Sequence, residues 1–159
     1  MNKSSFTSSP DNRYFEDYIA GSAHEFGSIV VEEKEVIDFG KRFVPLPYHV
    51  DPEAAKKSIY GGLIASGWQT ATSYMRRLVD GIMLESASLG SPGIDELRWL
   101  RPVRPGDVLR LRVTVLEATR SRSRLDRGVV RSLMEVLNQD GEVVMSLKPM
   151  NIIASRSAS

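Results

Sequence analysis

The chain has 159 residues, 42% of them hydrophobic, with 21 basic against 20 acidic residues and no cysteine. That length suits one domain with a single sizeable core, and the lack of cysteine excludes disulfides, thiolate catalysis and thiolate-held metal. A net charge of +1 supplies no long-range field toward nucleic acid or an anionic membrane, and two histidines cannot build a His-rich metal site.

Residues 1 to 13, MNKSSFTSSPDNR, offer little to bury and read as a disordered or loosely attached tail, with one domain expected over 14 to 159. The tail has no apolar centre of the kind a signal peptide needs, and no run of about 18 apolar residues occurs, so a soluble, cytoplasmic protein without membrane contact is expected. Gly27 to Val31 predicts a short strand. Glu32 to Lys41 predicts a helix with Val36, Ile37 and Phe39 on its apolar side.

Residues 43 to 51, FVPLPYHVD, place His49 behind Pro45 and Pro47, which fix φ and remove two amide donors. A loop so stiffened can aim an imidazole as a general base, or can simply contain an ordinary histidine. Asp51-Pro52-Glu53 is a helix start running to about Lys57, with Asp51 as cap and Pro52 in the first helical position. The cap competes with any use of Asp51 in proton transfer. His24, the other histidine, has no patterned surroundings and reads as a surface residue.

Gly61-Gly62 then breaks the chain before the longest helical pattern, Leu63 to Met83. Its stripe is Ile64, Trp68, Ala71, Met75, Leu78 and Ile82, with small residues between that let a sheet approach. At its start, GGLIASGW suggests unpaired amides able to hold an oxyanion beside Gly67. The alternative is that Ser66 and Gly67 are small because a neighbouring strand presses on them.

After Ser91-Pro92-Gly93 the pattern turns to strands. Gly93 to Val103 alternates in part, and Val108 to Leu116 alternates cleanly, with Leu109, Leu111, Val113 and Val115 on one face. Gly128 to Leu137 and Glu142 to Ile153 follow, joined by a short hairpin at Asn138 to Gly141. Such a sheet needs a cover, and the long helix is the only element able to supply it. The fold class is therefore α+β, an antiparallel sheet wrapped around one central helix. Arg98, Arg101 and Arg104, then Arg120, Arg122, Arg124 and Arg127, could grip phosphates or be solvated strand faces; near-neutrality argues against nucleic acid.

Three stretches together resemble the MaoC-like dehydratases, relatives of the (R)-specific enoyl-CoA hydratases. FGKRFVPLPYHVDPEAAKKSIYGGLIASGW is similar to the hydratase motif of that family, GIDELRWLRPVRPGD to its signature strand and turn, and VLNQDGEVVMS to its late hairpin. The resemblance runs from Tyr14 to Ile153 and implies a hot-dog fold, usually a homodimer whose sheets meet edge to edge. It implies an acyl-CoA or acyl-carrier-protein thioester as substrate, with no cofactor or metal. It also implies His49 as catalytic base, with Gly67, and Ser66 beside it, at the oxyanion position. Val44, Leu46 and Trp68 are expected to face the substrate. The family's catalytic Asp stands five residues before its His; here that position is Val44, and the polar position two later is Leu46. Loss of one general acid or base removes roughly 10²–10⁴-fold in rate. Two further readings therefore stay open: a non-catalytic acyl-thioester binder, and a thioesterase, although the helix carries no acid between Leu63 and Val79.

Overall fold

The computed structural model describes residues 12–80 and 87–157. Most of the expected tail, residues 1–11, and Ile82 of the expected helix lie outside these. Arg13, assigned to the tail, is packed, at 4% exposure.

Five strands, β1 (Ala23–Val30), β2 (Ser88–Trp99), β3 (Val108–Arg120), β4 (Arg127–Leu137) and β5 (Val143–Ala154), form one antiparallel sheet in the order β1-β3-β4-β5-β2. Between β1 and β2 come α1 (Glu33–Phe43), α2 (Pro47–Val50), α3 (Pro52–Lys56) and a central helix spanning 67–79. The sheet packs around the central helix, as the resemblance implies. The clean alternation of β3 has its cause here, since Leu109, Leu111, Val113 and Val115 are all buried. Tyr74, Met75 and Leu78 of the helix meet Leu111, Val136, Met145 and Leu147 in the main core. Burying side chains of this size contributes about 1.5–3 kcal/mol each. Near the β3–β4 hairpin Phe15, Tyr18, Val115, Val130 and Ile153 form a second cluster, so the N-terminal segment covers what the helix does not reach.

Several expectations require correction, among them the first strand, which runs over Ala23–Val30 rather than Gly27 to Val31. The central helix begins at Gly67, not Leu63. The amides of Ile64 and Ala65 bond instead to Tyr48 O at 3.1 Å and Val103 O at 2.8 Å, which holds that stretch extended. The predicted stripe also fails at Trp68, which is 55% exposed. Residues Thr70–Tyr74 form a π turn inside the helix, so the buried face passes through Gln69, Thr70, Tyr74, Met75 and Leu78 rather than through Trp68. Strand β2 starts at Ser88 and runs through Pro92, rather than beginning after Ser91-Pro92-Gly93. As an edge strand it tolerates a missing N–H, and its register shifts around Gly90 and Gly93. Finally, His24 is buried on β1, with Nε2 at 3.0 Å from Ser22 Oγ.

FVPLPYHVD contains one turn of helix that the prolines concealed. Pro47 is at its start, its carbonyl accepts from Asp51 N at 2.9 Å, and His49 N bonds Leu46 O at 2.9 Å. The Asp51 cap is formed as expected, with Oδ1 accepting from Glu53 N at 3.0 Å and Ala54 N at 3.2 Å.

Candidate active site

Two backbone-anchored bonds position His49. Its Nδ1 lies 2.7 Å from Ile64 O, and Ile64 N in turn donates to Tyr48 O. A carbonyl can only accept, so Nδ1 carries a proton, and in the neutral form of the ring the lone pair is on Nε2. The Tyr48 ring meets the imidazole edge-on at 4.6 Å. Behind it, α1 approaches so closely that a Cβ on Gly40 would stand 3.0 Å from His49 Cβ. The imidazole is 6% exposed and lines a cavity of about 290 Å³ together with Tyr60, Gly67, Thr70, Trp99 and Val144.

The start of the central helix faces the same cavity. Ser66 is its N-cap: Oγ accepts from Trp68 N at 3.2 Å, and the Ser66 carbonyl accepts from Gln69 and Thr70 at 2.9 and 3.2 Å. The Gly67 amide has no acceptor among the described residues. It is left as a donor at the positive end of the helix. Gly67 is also where Trp99 presses in, since a Cβ there would lie 2.4 Å from Trp99 Cε2. The packing explanation for this glycine and a donor role for its amide therefore coexist.

Four of the six predicted site residues fall into two groups. His49 and Gly67 share the cavity. Val44 and Trp68 line a neighbouring groove of about 1250 Å³ between α1 and the first turns of the central helix, with Phe39, Phe43 and Gln69. Leu46 is exposed and lines neither, while Ser66 is committed to capping. Trp99 and Gln69 were missed by the sequence reading. Gln69 is 2% exposed and ties the helix to α1 through Nε2 to Glu35 O at 3.0 Å. Nothing local in the sequence distinguishes it. Trp99 was legible only as the centre of an arginine-rich strand.

Among the described residues no carboxylate lines the cavity. Asp51 is held by its cap, Asp38 pairs with Lys34 at 2.5 Å on the groove side, and Asp80, past the helix end, pairs with Arg76. Among the described residues no group of three or more His, Asp or Glu could hold a metal. The two groups of arginines do not converge on one place either. Arg101 lines the cavity and pairs with Glu142 at 2.9 Å, whereas Arg120 bonds Glu16 at 3.1 Å toward the other end of the sheet.

Residues 20–136 match the family model for the MaoC like domain, which is most of the chain. The chain belongs to the MaoC-like family. A MaoC-like dehydratase from Rhodospirillum rubrum is 39% identical and superposes with a TM-score of 0.84, over 92% of this chain and 99% of that one. The uncharacterized protein YdeM of Bacillus subtilis is 29% identical over 84% of this chain and 97% of its own length. Protein MaoC of Klebsiella aerogenes is 26% identical over 69% of this chain, which spans only about a third, 32%, of that protein. The (R)-hydratase PhaJ1 of Pseudomonas aeruginosa, 23% identical with a TM-score of 0.70 over 91% of this chain and 86% of that one, shares the hot-dog fold of this MaoC-like domain. Among the described residues no helix is long and apolar enough to cross a membrane.

Proposed function

We propose that this MaoC-like protein binds a 2-enoyl or 3-hydroxyacyl thioester in the His49 cavity and acts on it, slowly, as a hydratase or dehydratase. The observation that carries the reading is a proton acceptor and an unpaired amide donor on one cavity: His49 with Nε2 as its lone-pair nitrogen, and the Gly67 N–H. In this reading the thioester carbonyl accepts from Gly67. The amide, at the helix start, stabilises the enolate oxygen that develops as water adds. His49 removes a proton from water as its oxygen bonds to C3, and returns that proton to C2, so the net change is addition of H and OH across the double bond. Dehydration is the reverse. The family's carboxylate position is Val44, which lines the groove and not the His49 cavity, so in this reading a single imidazole both orients and deprotonates the water, and turnover falls by roughly 10²–10⁴-fold. The thioester is the substrate and no separate cofactor enters.

The acid-free lining of the cavity favours a second reading, in which the thioester binds without turnover. One experiment separates the two. Hydration of crotonyl-CoA is followed by loss of enoyl-thioester absorbance in the parent, in His49→Ala and in Val44→Asp. Slow turnover in the parent that vanishes in His49→Ala supports the hydratase. Turnover absent in the parent and present in Val44→Asp supports the binder with intact geometry. Absence in all three, with no crotonyl-CoA binding by calorimetry, refutes both.

A homodimer fits the edge of the sheet. Strand β2 has no outer neighbour among the described residues and exposes Leu89, Ile94 and Trp99, so pairing of two β2 edges would satisfy its backbone and cover these side chains.

A further inference from the structure

We infer that the Trp68–Trp99 pair is a partition that restricts the acyl group to a short chain; the inference rests on the acyl-thioester reading above. Trp99, at the end of β2, lines the His49 cavity, and Trp68, in the first turn of the central helix, lines the groove beside α1. The two rings meet edge to face with centroids 5.1 Å apart, so the pair stands between the two spaces. The groove has more than four times the volume of the cavity.

Both indoles are fixed at their backbones. Trp99 pairs with Met145 of β5, and the next amide, Leu100 N, bonds Val144 O at 2.9 Å. Trp68 N is held by the Ser66 cap. The Trp99 ring is seated directly on Gly67, where any side chain would strike it. With the thioester carbonyl on the Gly67 amide and C3 beside His49, the rest of the acyl chain must fit what remains of about 290 Å³. Ile64, Val103 and Val144 belong to the buried interior and cannot yield without repacking the core, and Leu100, an exposed wall at 54%, lines the cavity but not the groove. The indoles are 45% and 55% exposed in the single chain, and in the β2-edge homodimer proposed above Trp99 would be covered while Trp68 is not among the side chains that edge covers. The pair is the wall whose removal joins the cavity to the groove.

The test is calorimetric binding of butanoyl-, octanoyl- and dodecanoyl-CoA to the full chain and to Trp99→Leu, Trp99→Ala and Trp68→Ala. The parent is expected to prefer butanoyl over dodecanoyl by roughly 10-fold or more, the scale on which apolar pockets discriminate by size. In the tryptophan variants that ratio collapses toward one or inverts. Trp68→Ala, which removes an exposed side chain, keeps the question open to measurement if a Trp99 variant fails to fold. Equal affinity for all three lengths in the parent, or an unchanged ratio in the folded variants, overturns the partition alone. So does a change of ratio accompanied by a change of oligomeric state in size-exclusion chromatography, since the indoles would then act at a subunit contact. Failure of every thioester to bind overturns the acyl-thioester reading itself.

Discussion

Gly67→Ala tests how the helix start, the proposed oxyanion amide and Trp99 are coupled. The new methyl would lie 2.4 Å from Trp99 Cε2 and 2.6 Å from Cδ2 and Nε1, against an ordinary contact of 3.4 Å or more, so the ring must retreat by about 1 Å. Overpacking of this kind costs about 1–3 kcal/mol. Loss of the edge-to-face contact with Trp68 adds about 0.5–1.5 kcal/mol. The gain in helix propensity from Gly to Ala returns at most about 1 kcal/mol. The net expectation is destabilisation by about 1–3 kcal/mol, or roughly 2–12 °C in Tm for a chain of this size. Thermal unfolding by circular dichroism gives the loss. Tryptophan fluorescence reports the ring directly, because both of the chain's tryptophans belong to this pair. The decisive comparison is Gly67→Ala in a Trp99→Ala background, where the clash is gone and the methyl should be neutral or stabilising. A coupling of about 1–3 kcal/mol is expected between the two substitutions. If Gly67→Ala destabilises both backgrounds equally, or leaves the parent's Tm and fluorescence unchanged, the Trp99 seat is not the reason for the glycine.

Three further outcomes follow from the geometry. Asp51→Ala removes the acceptor of two α3 amides and should cost about 1 kcal/mol in chemical denaturation, while Asp51→Asn should retain most of it. Gly40→Ala would put a methyl 2.9 Å from Val50 Cγ1 and 3.0 Å from His49 Cβ, displacing the imidazole from Ile64 O; crotonyl-CoA binding or turnover should fall with stability, whereas Gly21→Ala, with open space at its Cβ though strained at φ +87°, should alter stability alone. Glu16 gives a pH-dependent effect: burial pushes its carboxyl up, but hydrogen bonds from Ser155, the backbone amides of Glu16 and Arg156 and the Arg120 guanidinium outweigh it and hold the group at about 2, against an ordinary 4.5. Its stabilisation is therefore complete above about pH 4.5 and lost as pH falls toward 2, so Glu16→Gln should cost about 1 kcal/mol at neutral pH, allowing for solvent screening, and nearly nothing at pH 2.

The residues that were legible in the sequence are those whose partners are local or whose burial is one-sided. Val108 to Leu116 alternates because one face of β3 is covered along its length, and Asp51 caps amides two and three residues away. Where the deciding partner is distant, local pattern misleads. Residues 63 to 66 carry a helical apolar pattern, yet Ile64 and Ala65 are drawn into extended structure by Tyr48 and Val103. Trp68 falls on the predicted stripe, but the π turn that follows it shifts the helix face, and a π turn leaves no signature in hydrophobic spacing. Pro92 signals a break only if its strand has neighbours on both sides, and edge position is a property of the whole sheet. The site shows the same division. His49 and Gly67 were found through a motif, while the packing of Trp99 on Gly67 depends on where β2 ends.

The two halves of the proposed chemistry rest on different parts of the molecule. The grip on the carbonyl comes from backbone: the Gly67 amide is freed because Ser66 caps the next amide instead, and the direction of His49 is set by the Ile64 carbonyl. None of these contacts involves the side chain at position 44. Val44 is half-buried on the groove side beside Phe43 and Trp68, and its amide bonds Gly40 O at 2.9 Å as the closing bond of α1, which any residue other than proline can supply. Exchange of an acid for valine there would thus remove a proton acceptor without disturbing the donor that holds the thioester. Binding made equally to ground and transition states would persist, whereas the interaction gained only as water is activated would be lost. The physical consequence is a site that keeps its affinity and loses rate, and Val44→Asp tests whether a carboxylate on the groove side reaches the water beside His49 past the tryptophan pair.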